Sequence, residues 1–271
     1  MPYYNKLANK HVLVIGGSNG IGRGVAEAAL ASGARVTITG SSAQSAEKAL
    51  SEITQAASSP ALIKALPANL SSKETIEEDL SSILSQAASL QGQPIDHIVL
   101  TAADGLTLKP LDDLTPEIAL GAAHMRLVVP LMMGKVAGRY FRENGKGEGE
   151  DGDRTLTLTT GGIAEHPAKD WSLIAYLCSG IYGLTMNLAL DLSPLRVRVN
   201  AVSPGAINTG LWDPFHENPE ARKTAMAAAF GHLPTGRIGA VEDVAEAYMY
   251  LLRDRNATGE VVRTRGGAQL I

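Results

Sequence analysis

Apolar and polar positions along this chain alternate in two rhythms. Seven short runs are apolar and rich in β-branched residues: 11–16, 35–39, 61–66, 95–100, 154–159, 196–202 and 260–263. Between them lie helix-length segments at 20–32, 42–57, 72–90, 115–142, 171–193 and 241–253. Strand–helix alternation with short connections predicts an α/β fold, a doubly wound parallel sheet with helices on both faces. No internal repeat or composition shift marks a second domain, so residues 1–271 read as one domain. Two segments depart from the rhythm. Residues 143–154 (ENGKGEGEDGDR) read as a solvated, flexible insert. Residues 206–235 follow a strand end with Pro, Gly and a mixed pattern, where α/β enzymes place a substrate lid.

Composition narrows the function. At 271 residues and 45% hydrophobic, the chain can bury a large core. A net charge of −4 argues against a nucleic-acid partner. The apolar run near the N-terminus is too short to span a bilayer, and Met-Pro-Tyr-Tyr-Asn-Lys carries no signal-peptide core, so a cytoplasmic protein without a membrane partner is expected. The single cysteine, Cys178, excludes an internal disulfide, and six scattered histidines show no ligand spacing, so no metal is expected. Segments 115–142 and 171–193 are unusually apolar, Leu127 to Met133 above all. That extra surface suits either one thick core or a homodimer or homotetramer interface.

The first run leads straight into a glycine-rich turn: Val-Leu-Val-Ile-Gly-Gly-Ser-Asn-Gly-Ile-Gly at 12–22. Gly16 allows a tight turn, Gly20 lets backbone approach a pyrophosphate, and Gly22 lets helix pack closely on strand. Backbone N–H groups at the helix start, around Ser18, Asn19 and Ile21, then face the phosphates. Strand before and helix after turn a weak glycine pattern into a dinucleotide signal. The second strand ends Thr39-Gly40-Ser41-Ser42, without the acid that would hold a ribose 2′-OH. Ser41 and Ser42 suit a 2′-phosphate, which selects NADPH/NADP+; either serine also suits the cap of the next helix.

These residues resemble the short-chain dehydrogenase/reductase family, and the resemblance runs along essentially the whole chain. It implies a Rossmann-type fold and further cofactor contacts. Asn69-Leu70 matches the pair beside adenine, with Asn for the usual Asp. Leu100-Thr101-Ala102-Ala103 stands where the family has Asn-Asn-Ala-Gly. Arg198 to Gly205 matches the strand and Pro-Gly turn flanking the nicotinamide, so Pro204 and Gly205 border the ring, Ile207 touches its carboxamide and Thr209 the pyrophosphate. Gly236-Arg237-Ile238-Gly239 and Gly266-Gly267 match the C-terminal segment.

The family's catalytic Asn, Ser, Tyr and Lys are all missing. Their positions fall on Arg126, near Thr160, on Ile174 and on Cys178. A rival register uses Tyr176, but then requires lysine at Gly180, and no lysine occurs from Asp170 to Arg222. Two residues along a helix is about 200° of rotation, so a Tyr176 paired with an inward Ile174 faces away, as a packing or interface residue.

Without a tyrosine proton donor, ketone reduction should be slow, because the alkoxide oxygen needs a proton. An iminium ion needs none: it accepts hydride at carbon and becomes a neutral amine. It asks only for positioning and an anion near its charge. The loop Gly161 to Trp171 offers Asp170, which equally suits a helix cap, and Glu165, read as solvent-exposed. Trp171 suits a substrate wall or core packing, and His166 suits an acid or, as a lone loop histidine, a position without catalytic duty. Arg126 suits either orienting Asp170 or a substrate carbonyl through its forked donors, or a structural ion pair. Cys178 reads as a small core residue.

The segments His124-Met125-Arg126-Leu127, Leu158-Thr159-Thr160-Gly161, Pro167-Ala168-Lys169-Asp170-Trp171 and Ile98 to Asp104 resemble an atypical fungal group of the family. That group includes bifunctional reductase/Diels–Alderases of prenylated indole alkaloid pathways. The resemblance implies NADPH, an apolar polycyclic small-molecule substrate of iminium type, and roles for Arg126 and Asp170. Three functions stay open here: an NADPH-dependent reductase of an imine or iminium, with or without a guided cyclisation; an ordinary carbonyl reductase using Tyr176 or Thr160 as acid; and a non-catalytic NADP(H)-binding protein.

Overall fold

A computed structural model of the chain describes residues 4–144 and 153–271. The strands are β1 (His11–Ile15), β2 (Arg35–Gly40), β3 (Ile63–Pro67), β4 (His97–Leu100), β5 (Arg154–Thr159), β6 (Val197–Pro204) and β7 (Val261–Thr264). They form one parallel sheet in the order β3-β2-β1-β4-β5-β6-β7. The helices are α1 (Gly20–Ala31), α2 (Ala43–Ala56), α3 (Ile76–Gln91), α4 (Pro116–Ala123), α5 (Val129–Glu143), α6 (Ser172–Asp191), α7 (Pro219–Phe230) and α8 (Val241–Arg253). This is the doubly wound Rossmann-type arrangement that the alternation implies. Strand order reverses between β1 and β4, which opens a crevice at their C-terminal ends.

Successive strand residues serve opposite faces. Leu13 and Ile15 join a core with α3, α5 and α6. Val12 and Val14 join a second core with α1, α2 and α8. Every residue of β1 and β6 is buried, as expected of strands covered on both sides. At the N-terminal foot of the sheet two buried histidines lean on threonines: His11 Nε2 lies 2.9 Å from Thr37 Oγ1, and His97 Nδ1 lies 3.1 Å from Thr155 Oγ1. Burial lowers both imidazoles to about 4.

One helix differs from the sequence expectation, and two other segments expected to be irregular are described in part. The helix expected over 115–142 is broken: a π-helical turn at His124–Val128 separates α4 from α5. Pro130 explains it, since it has no N–H for the Arg126 carbonyl and its ring crowds that carbonyl. The expected lid at 206–235 contains a 3₁₀ turn, Gly210–Phe215, and α7, which Asn218 caps by accepting from Ala221 N at 2.9 Å. Of the expected insert at 143–154, residues 145–152 lie outside the described residues; Glu143 ends α5, Arg154 opens β5, and Asp153 is buried against Arg198. Pro116–Glu143 and α6 are long and apolar enough by composition to cross a membrane. They pack their apolar faces on the sheet here, while Leu120, Leu131, Met186 and Leu190 stay exposed.

Candidate active site

The glycine turn is made by backbone. Gly16 has φ +90°, and a Cβ there would come within 2.5 Å of Ala102 N. A Cβ at Gly22 would come within 2.3 Å of both Gly16 O and Thr101 Oγ1. Gly20, at φ +54°, faces the Thr209 side chain, whose methyl would be 3.5 Å from an added Cβ. The glycines, Thr101-Ala102 and Thr209 are therefore brought together although they come from the ends of three strands. Helix α1 starts after an extended Asn19 with no side-chain cap and no acid in its first turn. Its first N–H groups, including those near Ser18 and Ile21, remain free for an anion.

Nearby residues are more committed. Ser42 caps α2, accepting from Ser45 N at 3.2 Å, while Ser41 is exposed and its hydroxyl has no hydrogen bond among the described residues. Asn69 Oδ1 accepts from Ser71 N at 3.0 Å, and the Leu70 carbonyl lies 2.8 Å from the buried His124 Nε2. That bond joins the expected adenine loop to the π turn. Gly205 N donates to Thr264 O at 2.9 Å, and Ile207 bridges to Gly239, which fixes the turn after Pro204.

At the ends of β4 and β5, against α6, lies a small cavity of about 60 Å³, lined by Ala102, Ala103, Arg126, Thr160, Leu177 and Cys178 among others. Among the described residues no tyrosine, lysine or histidine lines it. Ile174 and Cys178 are buried, and burial raises the Cys178 thiol. Thr160 Oγ1 donates to the Cys178 carbonyl at 2.7 Å, so its hydroxyl is engaged. Tyr176 is 61% exposed and lies outside the lining.

Arg126 has a partner that the sequence left unassigned. Its Nη2 donates to the Asp104 carbonyl at 2.6 Å and to Gly105 O at 3.3 Å. Asp104 Oδ1 lies 2.9 Å from Nε but off the line of a hydrogen bond, so that contact is an ion pair only. The guanidinium pins the irregular loop after β4. The π turn is what aims it there, and Pro130 was the signal in the chain.

Asp170 corrects its expected role as a helix cap. It sits in a left-handed turn, φ +65°, one residue before the cap position of α6. Trp171 takes that position without a side-chain bond. The Asp170 carboxylate is exposed and has no partner among the described residues. It does not line the small cavity and does not meet Arg126.

Glu165 is exposed, as expected, but it is also held by partners that the sequence did not indicate. Arg263 Nη2 donates to it at 2.6 Å and Tyr182 Oη at 2.6 Å, and Arg265 also pairs with it. The Arg265 side chain, 2% exposed, donates further to Tyr182 Oη and Ser203 Oγ, each at 2.7 Å. The bond from Arg263, first among several from this cluster, holds the Glu165 carboxyl far below the usual carboxylate range. The residues stand at 165, 182, 203, 263 and 265, too scattered for any motif to announce. Nearby, the Trp212 ring meets Trp171 at 6.4 Å, Phe215 at 6.4 Å and Phe230 at 6.1 Å. Trp171 is thus packed against the segment expected as a lid.

Comparison with known proteins agrees with this geometry. The SDR-like Rossmann domain matches residues 3–271. The chain is 38% identical over 272 residues to short-chain dehydrogenase/reductase fsr5 of Gibberella fujikuroi, covering 99% of this chain and 97% of that one. It is 37% identical over 270 residues to short-chain dehydrogenase/reductase malC of Malbranchea aurantiaca, covering 97% and 96%. The solved structure of the MalC reductase/Diels–Alderase superposes with a TM-score of 0.86 at 34% identity, covering 99% of this chain and all of that one.

Proposed function

The chain belongs to the short-chain dehydrogenase/reductase family of oxidoreductases, and from that premise we propose that it is an NADPH-dependent reductase of an imine, iminium or similarly activated small molecule. One observation carries the reading: the cavity at the ends of β4 and β5 holds a guanidinium but no tyrosine or lysine. A ketone there would lack its acid, whereas an iminium needs none.

NADPH, when bound, supplies a hydride. The residues that would hold it are the Gly16–Gly22 turn with Ser18, Asn19 and Ile21, then Ser41 and Ser42, Asn69 and Leu70, Ala102 and Ala103, and Pro204, Gly205, Ile207 and Thr209. The fit rests on the close approaches at Gly16 and Gly22 and on the uncapped start of α1. The absence of an acid after β2 supports NADPH over NADH.

Arg126, held by Asp104, fixes the loop that lines the cavity and presents donors to a substrate carbonyl. Asp170, on the loop before α6 and outside the small cavity, is the anion assigned to the substrate cation. Its carboxylate is exposed and has no partner among the described residues, which leaves it available to a cation. Reduction of an iminium ion then moves the C=N electron pair onto nitrogen and leaves a neutral amine, with no proton required; a neutral imine must be protonated first. Likeness to a reductase/Diels–Alderase supports a second capacity, guiding a cyclisation of an apolar polycyclic substrate in the same pocket. We place the enzyme in cytoplasmic secondary metabolism of alkaloid type.

The test follows NADPH absorbance with a ketone and aldehyde panel and a cyclic iminium panel. The expected result is turnover of the second panel only, reduced about 100-fold in Arg126→Ala and in Asp170→Asn. Turnover of ketones abolished by Tyr176→Phe would replace this reading with an ordinary carbonyl reductase. Full activity in both charge variants would remove Arg126 and Asp170 from the site.

A further inference from the structure

Asparagine precedes glycine twice in this chain: Asn19 before Gly20 and Asn144 before Gly145. Such a pair can modify itself. The glycine has no Cβ to shield its nitrogen, so that nitrogen can reach the carbonyl of the asparagine side chain. What separates the two pairs is whether the reacting groups are free. At Asn144 the carboxamide is tied, because Nδ2 donates to Tyr140 O at 3.1 Å. At Asn19 it is not. Asn19 is exposed and extended, and its side chain neither caps α1 nor has another partner among the described residues. Gly20 opens α1, and the first N–H groups of a helix have no intrahelical acceptor, so its nitrogen is free too.

Position gives this chemistry a consequence, because the pair stands inside the glycine turn. We propose that Asn19-Gly20 is a self-modification site that ends cofactor binding, and that a bound dinucleotide protects it. The Gly20 nitrogen bonds to Asn19 Cγ and gives up its proton. The side-chain nitrogen takes a proton and leaves as ammonia, and a cyclic imide remains. Water then opens the imide at either carbonyl, giving aspartate or isoaspartate, and nothing is oxidised or reduced. Either product sets a carboxylate beside the N–H groups that would hold a pyrophosphate, and like charges repel. Isoaspartate also adds a carbon to the main chain of a turn without slack: a single Cβ at Gly16 or Gly22 would come within 2.5 Å of its neighbours. A dinucleotide would accept from these N–H groups and so withhold the Gly20 nitrogen. The empty protein therefore ages at a site that the filled protein keeps. The proposal rests on the reading of the glycine turn as the dinucleotide site.

The experiment incubates the full chain in mildly alkaline buffer, with and without NADP+, and maps tryptic peptides by mass. Cleavage after Lys10 and Arg23 yields His11 to Arg23, where Asn19 is the sole carboxamide, so an amide-to-acid mass gain reports Asn19 alone. The gain is expected in the free protein, ahead of any gain at Asn144 in the peptide from Glu143 to Lys146. It should run about tenfold slower with NADP+ at roughly ten times its Kd, because only empty sites react. The Asn19→Asp variant copies one product and should bind NADP+ about tenfold more weakly in a fluorescence titration. Its melting without nucleotide should not fall, since an acid at a helix start is favourable, and that separates lost binding from lost folding. No gain at Asn19, equal rates with and without NADP+, or undiminished binding by Asn19→Asp overturns the proposal. Titration of the fresh protein separates the two readings. Absence of NADP+ binding there removes the dinucleotide site itself, whereas binding together with an Asn19 that stays intact removes only the modification.

Discussion

Two loops leave the C-terminal edge of the same sheet and are built by opposite means. The turn after β1 is made of backbone: Gly16, Gly20 and Gly22 are required because Ala102, Thr101 and Thr209 leave no room or no ordinary φ for a side chain. The loop after β5 is made of side chains: Glu165 is gripped by Arg263, Arg265 and Tyr182, and Trp171 by Trp212. The first sort of construction tolerates almost no substitution but suits any dinucleotide. The second can be rewritten residue by residue, and that is how one fold acquires a different chemistry beside the same cofactor.

The largest expected effect on stability at neutral pH comes from breaking the second loop. Glu165→Ala leaves Arg265, 2% exposed, without its carboxylate, and should cost about 2 kcal/mol, because the carboxylate is itself half-exposed and Arg265 keeps Tyr182 and Ser203. Thermal melting should fall by roughly 6 °C for a chain of this size. Glu165→Ala/Arg265→Leu should recover much of that loss, because the stranded charge is gone; no recovery would mean that Glu165 acts otherwise than by neutralising Arg265.

The first loop breaks by strain. Gly16→Ala puts a methyl 2.5 Å from the Ala102 nitrogen at a φ that only glycine adopts freely. A loss of about 100-fold in NADPH affinity is expected in a fluorescence titration. Undiminished binding would show that the turn does not hold the phosphates.

Acid separates the two regions. His11 and His97 have folded values of about 4 against an ordinary 6.5, so burial favours their neutral forms. The stability they hold is complete above pH 6.5 and is lost as pH falls toward 4, by up to about 3 kcal/mol per histidine. Glu165 is held below the usual carboxylate range, so its contribution is complete above that range and persists to more acid pH. Melting followed from pH 7 to pH 4 should therefore decline through the foot of the sheet, and His97→Gln should shrink the slope. An unchanged slope would assign the decline elsewhere.

The smallest effect tests the outward face of α6. Tyr176→Phe should leave iminium turnover within about twofold, since a hydroxyl on a 61% exposed ring outside the cavity has no substrate to serve. A large loss would bring the rival register of the helix back.

Periodicity alone determined most of this protein. Strands read as apolar runs fall within a few residues of β1 to β7; β1 and β6 are buried throughout, whereas β3 and β7 at the edges keep exposed positions and were read from their β-branched and apolar residues. The glycine turn was legible because its requirement is local: backbone geometry at three positions within seven residues. The missing Tyr/Lys pair was legible because one helical register runs unbroken into β6. Tertiary structure alone decided the rest. The partner of Arg126 is Asp104, chosen by a π turn that Pro130 imposes. Glu165 meets residues up to 100 positions away. Asp170 became N-terminal to the cap rather than the cap, through one left-handed residue. A charge reads its neighbours through space and a backbone turn reads them along the chain, so sequence order discloses the cofactor turn and withholds the substrate's surroundings.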